Sequence, residues 1–386
     1  MHNPALNPAV RLSPVENGYL AYDPAADRLH ELNPVAALIV ELCDGTRTVE
    51  ELRDLAKPFL PEGTAEEVDK WIQQGIQAGL FTETNGDSAA RQELSAEELT
   101  KLAKRLRERG KIQTAYLCQR RATELIPKDA HAWSELGELA HILGRRDQTR
   151  VAYEKYLELE PDDAETKHLL VALRDEPPPP RAPDECIQQL YQRFSSFYEF
   201  NVCEELYYEA PQRLHDLIKS VLEDRQQLAV VDLGCGSGLA GLRLKALAAR
   251  MTGVDLSPEM IELARARNIY HQLEVAEITR WLSGGQDQFD LIAACDCLIY
   301  FGDLRQVLIP AARRLAPGGV LAFTLERGDQ YPFRLTDTGR YTHSAQHVRD
   351  AAAEAGLHVA RLEEAYLRME YGAEVIGLFV ALKNQG

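Results

Sequence analysis

Residues 230–238 constrain this chain more than any other segment, because an apolar run reaches an acid and three alternating glycines follow. The run predicts a buried strand that turns sharply into a helix. Gly234, Gly236 and Gly238 permit positive φ angles and let the backbone come close to a ligand. Seventeen residues beyond Gly238, a second apolar run ends at Asp255, which is well placed for a ribose diol. The pattern differs from the G-x-G-x-x-G of dinucleotide-binding proteins. A turn that packs without any ligand is the alternative interpretation.

The order of predicted elements in the last part of the chain indicates an α/β fold. Strands are predicted at 228–233, 251–255, 289–294 and 319–325, and a strand or loop is predicted at 271–276, with a helix between each of these segments and the next. This alternation predicts a parallel sheet with helices on both faces. Ligands of such sheets bind at the carboxyl ends of the strands, near the point where the strand order reverses.

The glycine-rich run and these strand ends resemble the first motif and the order of the class I S-adenosylmethionine (SAM)-dependent methyltransferases, which have a Rossmann-like fold. The resemblance implies that SAM is the cofactor and S-adenosylhomocysteine (SAH) its product. Asp255 would accept the ribose hydroxyls, and Cys295 and Asp296 would lie at the sulfonium end. The implied cofactor residues are Asp232, Gly234, Cys235, Gly236, Gly238, Asp255, Leu256, Met260, Glu277, Ile278, Cys295 and Asp296.

Two assignments of this set have structural alternatives. Glu277 is expected on the adenine amino group, but it is also well placed to cap the helix that follows. Tyr191 and Phe194 share one face of a predicted helix. They would cover the cofactor, as the N-terminal helices of class I methyltransferases often do, or they would simply pack in the core.

Methyl transfer needs a base only when the acceptor must lose a proton near the transition state. His343 is the first candidate for that base, because its Arg-Tyr-x-His segment follows the fifth strand of the sheet, near the expected substrate. A helix-capping role before the helix at 345–355 is the alternative. His343 and His347 have the i,i+4 spacing of a metal pair, but no third ligand is evident and no metal is predicted. Tyr300 and Glu326 are expected to hydrogen-bond the acceptor.

The first module, residues 1–90, is predicted to hold two strands at 18–22 and 28–32, followed by three helices. Asn33 and Pro34 predict the start of the first helix, and Thr48 with Glu51 predicts a capping box. The segments 29–36 and 41–48 resemble the PqqD-like family, which has a small winged-helix-like α+β fold. The resemblance implies a domain that binds the leader of a ribosomally made precursor peptide. A domain that packs on its neighbour and binds nothing is the alternative.

Residues 95–175 are predicted to form a short all-α region of tetratricopeptide (TPR)-like repeats. Ile126-Pro127 and Glu160-Pro161 lie 34 residues apart, and Trp133, Gly137 and Tyr153 fall at the expected spacings. Four prolines at 177–180 predict an extended linker at 176–183. The methyltransferase domain is then expected at 184–386.

The tail of the chain carries further motifs of one family. Residues 296–304, 315–319, 323–326, 339–344 and 367–370 together resemble the predicted methyltransferases that carry tetratricopeptide repeats. This resemblance covers about residues 95–383. The resemblance implies methyl transfer as the reaction but does not identify the substrate.

Composition limits the partners. The chain has 43 basic and 60 acidic residues and a net charge of −17, which argues against wide contact with nucleic acid. No apolar run approaches the roughly 20 residues that span a bilayer. Seven cysteines without an even framework, and no recognisable signal peptide, favour reduced thiols in a cytoplasmic protein. The sequence assigns no oligomeric state.

The leading hypothesis is therefore a SAM-dependent methyltransferase that acts on oxygen or nitrogen of a precursor peptide recruited by its leader. The second hypothesis is a small-molecule methyltransferase whose first two modules are only structural. The third is a peptide-binding adaptor without turnover, against which the intact glycine run, Asp255 and Glu277 argue.

Overall fold

The computed structural model divides the chain into two compact units, Met1–Pro161 and Asp162–Gly386. The structure describes residues 3–15, 18–24, 26–60, 64–84, 94–194, 208–222, 225–370 and 373–384. Part of the predicted aromatic helical segment, residues 195–207, lies outside the described residues, as does the side chain of Phe194.

The first unit begins with two small sheets and three helices. Its first strands and helices are β1 (Asn3–Leu6), β2 (Arg11–Val15), β3 (Gly18–Asp23), β4 (Arg28–Leu32), α1 (Pro34–Leu42), α2 (Val49–Ala56), α3 (Glu66–Gln77) and β5 (Phe81–Thr84). β1 pairs antiparallel with β5, and the other three strands form an antiparallel sheet in the order β2-β3-β4.

Local sequence signals place the first two helices. Asn33 Oδ1 accepts a hydrogen bond from Ala36 N at 2.8 Å, and Pro34 occupies the first helical position, where its missing N–H costs nothing. Thr48 and Glu51 form a reciprocal capping box at the start of α2. These caps confirm the predicted helix starts.

Four longer helices complete the first unit: α4 (Ala96–Glu108), α5 (Ile112–Leu125), α6 (Ala130–Ile142) and α7 (Arg146–Leu159). Their buried side chains join those of α1–α3 in one continuous hydrophobic core. Lys111 at the start of α5 forms an ion pair with the half-buried Glu41 of α1 and lies 4.4 Å from the ring centroid of Tyr19. Described residues of both predicted modules thus share one core, and the boundary near residue 90 stays a prediction. The repeat character of α4–α7 stays a prediction.

The second unit is an α/β domain with nine described strands. Its elements are α8 (Ala164–Leu173), α9 (Asp184–Phe194), α10 (Ala210–Leu222), β6 (Leu228–Leu233), α11 (Leu239–Leu244), β7 (Ala248–Asp255), α12 (Pro258–Ala266), β8 (Gln272–Val275), α13 (Ile278–Gly284), β9 (Phe289–Ala294), α14 (Arg305–Arg314), β10 (Leu315–Arg327), β11 (Phe333–Leu335), β12 (Tyr341–His343), α15 (Ala345–Glu354), β13 (Leu357–Glu370) and β14 (Ala373–Asn384).

The sheet has the order β11-β12-β10-β9-β6-β7-β8, and β14 joins β10 and β13 by antiparallel pairing. The pairs β6–β7, β7–β8, β6–β9 and β9–β10 are parallel. The chain moves outward from β6 through β8 and then returns to β9 on the other side of β6. The strand order therefore reverses between β6 and β9, where ligands of such sheets bind.

The central strands are buried on both faces. Val230, Val231, Leu291 and Ile292 are all fully buried, as expected for parallel strands covered by helices on each side. Two hydrophobic clusters lie on opposite faces of the sheet. The prediction of a Rossmann-like α/β domain is confirmed.

The proline-rich segment belongs to the second unit and is not a free spacer. Pro180 O accepts hydrogen bonds from Gly302 N and Asp303 N, both at 2.9 Å, and Pro179 O accepts one from the Tyr341 hydroxyl at 2.8 Å. Prolines lack an N–H but keep their carbonyl acceptors, so the domain's donors hold the extended segment in place. Helix α8, expected with the repeats, also lies in this unit, where His168 Nε2 contacts Gly339 O at 3.1 Å.

Candidate active site

A cavity opens at the carboxyl ends of β6, β7 and β9. Strand ends supply most of its wall, and the segment before the sheet supplies the rest. The described residues that line it are Arg181, Ile187, Tyr191, Gly234, Gly236, Asp255, Leu256, Glu277, Ile278, Cys295, Asp296, Cys297, Tyr300 and Phe301.

The turn after β6 needs its glycines. Gly234, Gly236 and Gly238 have φ angles of 62°, 53° and 91°, which other residues rarely adopt. A Cβ atom on Gly234 would overlap the Cys297 side chain. Gly234 therefore serves two purposes, the turn itself and the close packing of the β6 and β9 ends. Gly234 and Gly236 line the cavity, whereas Gly238 does not.

Asp255 is held by two backbone donors. Gly236 N donates to Oδ2 and Ser257 N donates to Oδ1, each at 2.8 Å. Burial raises the pKa of the Asp255 carboxyl, and the backbone N–H groups of Ser257, Gly236 and Leu256 act in the opposite direction. Each oxygen keeps a lone pair, so the fixed carboxylate can accept two hydroxyl groups from the cavity side.

Three other residues of the predicted cofactor set lie behind the cavity wall. Asp232 is fully buried and accepts a hydrogen bond from the Tyr270 hydroxyl at 2.7 Å. Burial raises the pKa of Asp232 to about 7. Cys235 and Met260 are buried as well and do not line the cavity. Asp232 thus supports the glycine turn through packing and does not reach into the cavity.

Glu277 caps a helix and also lines the cavity. Its carboxylate caps α13 by accepting hydrogen bonds from Thr279 N and Arg280 N, both at 3.0 Å. It also lines the cavity beside Ile278, and Arg181 Nη1 lies 3.7 Å from Oε1. The capping bonds fix the carboxylate in position at the end of β8.

Arg181 is a cavity residue that the sequence reasoning missed. It follows the four prolines, its Nη2 donates to Asp184 Oδ1 at 2.5 Å, and its backbone bridges to Phe301. An arginine in a predicted linker carries no local signal of a binding role. Only the docking of the proline-rich segment brings its guanidinium to the cavity.

The helix before the sheet places Tyr191 in the wall. The Tyr191 and Tyr300 hydroxyls lie 3.1 Å apart, and their rings meet edge to face. Burial raises the pKa of Tyr300, so its hydroxyl stays protonated at neutral pH. The structure thus brings two predicted residues to the cavity: Tyr300, expected to hydrogen-bond the methyl acceptor, and Tyr191, expected to cover the cofactor.

Three residues at the end of β9, Cys295, Asp296 and Cys297, also line the cavity. Burial raises the pKa of both cysteine thiols, which keeps them protonated and weakly nucleophilic. Burial likewise raises the pKa of Asp296, while Arg368 opposes that shift. No group of three or more potential metal ligands occurs among the described residues.

Glu326 lies outside the cavity wall. It is buried at the end of β10, where it forms an ion pair with Arg368 and lies 3.4 Å from Arg340 Nη1. It therefore reaches the cavity only through Arg368, which contacts Asp296.

His343 does not line the cavity either. It is fully buried in β12, where its Nε2 contacts Gly302 O at 3.2 Å, and His347 Nε2 contacts the same oxygen at 3.2 Å. The two rings are stacked, with centroids 5.7 Å apart. Burial, reinforced by His347, lowers the pKa of His343 to about 3. His343, the candidate general base, is thus a neutral side chain that packs against His347 and does not line the cavity.

Two family models match the chain. One is described as a methyltransferase domain and covers residues 230–319; the other is coenzyme PQQ synthesis protein D (PqqD) and covers residues 18–80. Both matches fall where the sequence motifs were found.

The curated relatives match less than half of this chain. Malonyl-[acyl-carrier protein] O-methyltransferase of Salmonella typhimurium is 34% identical over 113 residues, which are 29% of this chain and 45% of that protein. Ubiquinone biosynthesis O-methyltransferase of Bordetella avium is 29% identical over 181 residues, which are 42% of this chain and 73% of that protein. The chain thus spans about half the length of the first of these relatives.

A solved SAM-dependent methyltransferase from Mesorhizobium loti matches 44% of this chain and 96% of its own, with 22% identity and a TM-score of 0.37. No described helix has both the length and the apolar character that a membrane span requires. Residues 230–319 belong to a SAM-dependent methyltransferase domain, for which SAM is the cofactor, and residues 18–80 belong to a PqqD domain in the same chain.

Proposed function

We propose that this methyltransferase modifies oxygen or nitrogen of a ribosomally made precursor peptide, whose leader binds to the PqqD domain. The observation that carries the proposal is that one chain combines two features: a PqqD domain in which the edge strand β4 pairs only with β3 among the described residues, and a cavity suited to SAM. The PqqD domain would bind the leader, and the cavity would hold the methyl donor for the reaction.

The cavity suits SAM in its combination of polar and apolar groups. Asp255 would accept the ribose hydroxyls, and Leu256 and Ile278 would provide apolar surface for the adenine. SAM supplies an activated methyl group on a sulfonium. The chain must then align the acceptor with that methyl group, and alignment alone can provide a large part of the rate.

The edge strand β4 is the proposed site of the leader. Among the described residues it pairs only with β3, so its outer edge offers unpaired backbone groups. Leu29 of this strand is 63% exposed, a large apolar side chain available for contact. A leader added as a further strand would gain backbone hydrogen bonds, and specificity would come from side-chain pockets, with α3 closing the groove.

Charge restricts the kind of leader. Residues 1–90 contain six Lys or Arg and fifteen Asp or Glu. A strongly acidic leader would be repelled by this surface, whereas apolar anchors and basic residues would be favoured.

A second candidate function follows from the names of the curated relatives. Both are O-methyltransferases, one of ubiquinone biosynthesis and one of malonyl-[acyl-carrier protein]. They favour an O-methyltransferase of a small molecule, in which the first unit has no recruiting role.

Incubation of the full chain with methyl-labelled SAM and the short peptides encoded beside its gene separates the two candidates. We expect mass spectrometry to show one peptide that gains a methyl group. Leu29→Pro should slow this reaction at low peptide concentration, because proline removes the Leu29 backbone donor and distorts the edge strand. Leu29→Ala keeps that donor and removes only the apolar side chain, so it separates the two contributions. Equal rates for the proline variant and the wild type would remove the recruiting role of β4.

A further inference from the structure

A cluster of five charged side chains lies behind the β9 end of the cavity. Arg368 Nη1 lies 3.2 Å from Asp296 Oδ2, and Arg368 also pairs with Glu326 and Glu370. Arg340 Nη1 contacts Glu370 Oε2 at 2.6 Å and Glu326 Oε1 at 3.4 Å. Five side chains from the ends of β9, β10 and β13 and from the loop before β12 thus meet at one edge of the sheet.

The cluster carries more negative than positive charge. Three carboxylates face two guanidinium groups, so the sum is −1, and each arginine contacts at least two carboxylates. Arg368 is also buried and Arg340 is partly buried, with 4% and 24% of their side-chain surfaces exposed. Neither guanidinium lines the cavity. The cluster therefore offers the cavity no uncommitted positive charge.

Asp296 is the member of the cluster that lines the cavity. Its Oδ2 contacts Arg368, whereas its buried Oδ1 has no hydrogen-bond partner among the described residues. Its backbone has a φ of 54°, and its N–H donates to the buried Thr324 Oγ1 at 2.7 Å. A non-glycine residue in this region is strained, and such strain concentrates at functional sites, where the surroundings hold it.

We propose that Asp296 binds the methyl acceptor through Oδ1, and that the acceptor is a hydroxyl or an amine rather than a carboxylate. This inference rests on the proposed function and narrows its substrate class. An O–H or N–H group can donate to Oδ1 and satisfy it. A carboxylate has no proton to donate, and the excess negative charge of the cluster would repel it in a buried site.

The chemistry balances with Asp296 as the proton acceptor. A lone pair of the acceptor atom forms the new bond to the methyl carbon, while the carbon–sulfur bond breaks and its electron pair stays on sulfur as a thioether. The proton of the acceptor passes to the Asp296 carboxylate and then to solvent. Burial raises the pKa of Asp296 above the usual aspartate range, which makes it a better base, and contact with Arg368 helps to keep it ionised.

The test uses the full chain saturated with SAH and three small probes of similar size: propanol, propylamine and propionate. Ligand-observed NMR measures their affinities. We expect propionate to bind at least tenfold more weakly than propanol or propylamine. In Asp296→Asn, propionate should come within threefold of propanol. Asp350→Asn, the same change on α15 at a residue that does not line the cavity, should keep the wild-type order.

Propionate that binds the wild-type protein as well as propanol would overturn the inference, and this comparison needs no variant. An unchanged probe order in an Asp296→Asn protein that still binds SAH would also overturn it. Failure of the wild type to bind SAH would instead contradict the assignment of the cavity to SAM. The probe measurements do not involve the leader, so a failure of peptide recruitment is seen separately.

Discussion

Replacement of Arg181 tests whether the proline-rich segment takes part in cofactor binding. Arg181 lines the cavity, and its guanidinium lies 3.7 Å from Glu277 and is anchored by Asp184 at 2.5 Å. A hydrogen bond to a charged group contributes about 1.5–3 kcal/mol. The Arg181 side chain is 21% exposed, so solvent screening lowers this contribution to about 1–2 kcal/mol. We therefore expect Arg181→Ala to weaken SAH binding about 5- to 30-fold.

Isothermal titration calorimetry of SAH with the full chain measures this change. Arg280→Ala is the matched control, because Arg280 also pairs with Asp184, at 2.8 Å, but is 73% exposed and does not line the cavity. It should change the SAH affinity less than twofold. Arg181→Lys should lose part of the affinity, since lysine keeps the charge without the planar fork of donors.

An SAH affinity of Arg181→Ala equal to that of the wild type would refute the reasoning. It would mean that Arg181 only fastens the segment to the domain through Asp184 and Phe301. Equal losses in both alanine variants would instead assign the effect to the shared partner Asp184.

Three further outcomes are expected. Asp255→Ala should weaken SAH binding by about 1–3 kcal/mol in calorimetry, and Asp350→Ala should not; equal affinities would remove Asp255 from the ribose site. Gly234→Ala should lower the free energy of unfolding in urea by about 1–3 kcal/mol, because its φ is 62° and a Cβ would overlap Cys297, whereas Gly284→Ala, with open space around it, should be nearly neutral. The pKa of His343 falls from about 6.5 in the unfolded chain to about 3 in the folded chain. Between these pH values the unfolded chain therefore binds more protons than the folded chain. The free energy of unfolding should decrease as the pH drops below 6.5, by at most about 1.4 kcal/mol per pH unit. His343→Asn should flatten that slope, and an unchanged slope would contradict this assignment.

Short-range patterns were enough to predict the framework. Asn33 and Thr48 start helices because a cap depends on contacts within three residues, and both caps are present. The alternation of apolar runs and helices predicted the α/β sheet. Gly234, Gly236 and Asp255 were placed at one cavity because strand ends of a parallel sheet meet at the same edge.

The remaining site residues depend on contacts between distant parts of the chain. Arg181 reaches the cavity only because donors around residue 302 bind the proline carbonyls. Asp296 meets Arg368 across 72 residues of sequence, and no local pattern sets that distance. His343 was expected at the substrate because it follows a strand end, but its side chain packs inward on Gly302. Local preferences act over a few residues, whereas the pairing of β12 to β10 and of β13 to β14 decides which side chains face the cavity and which face the core.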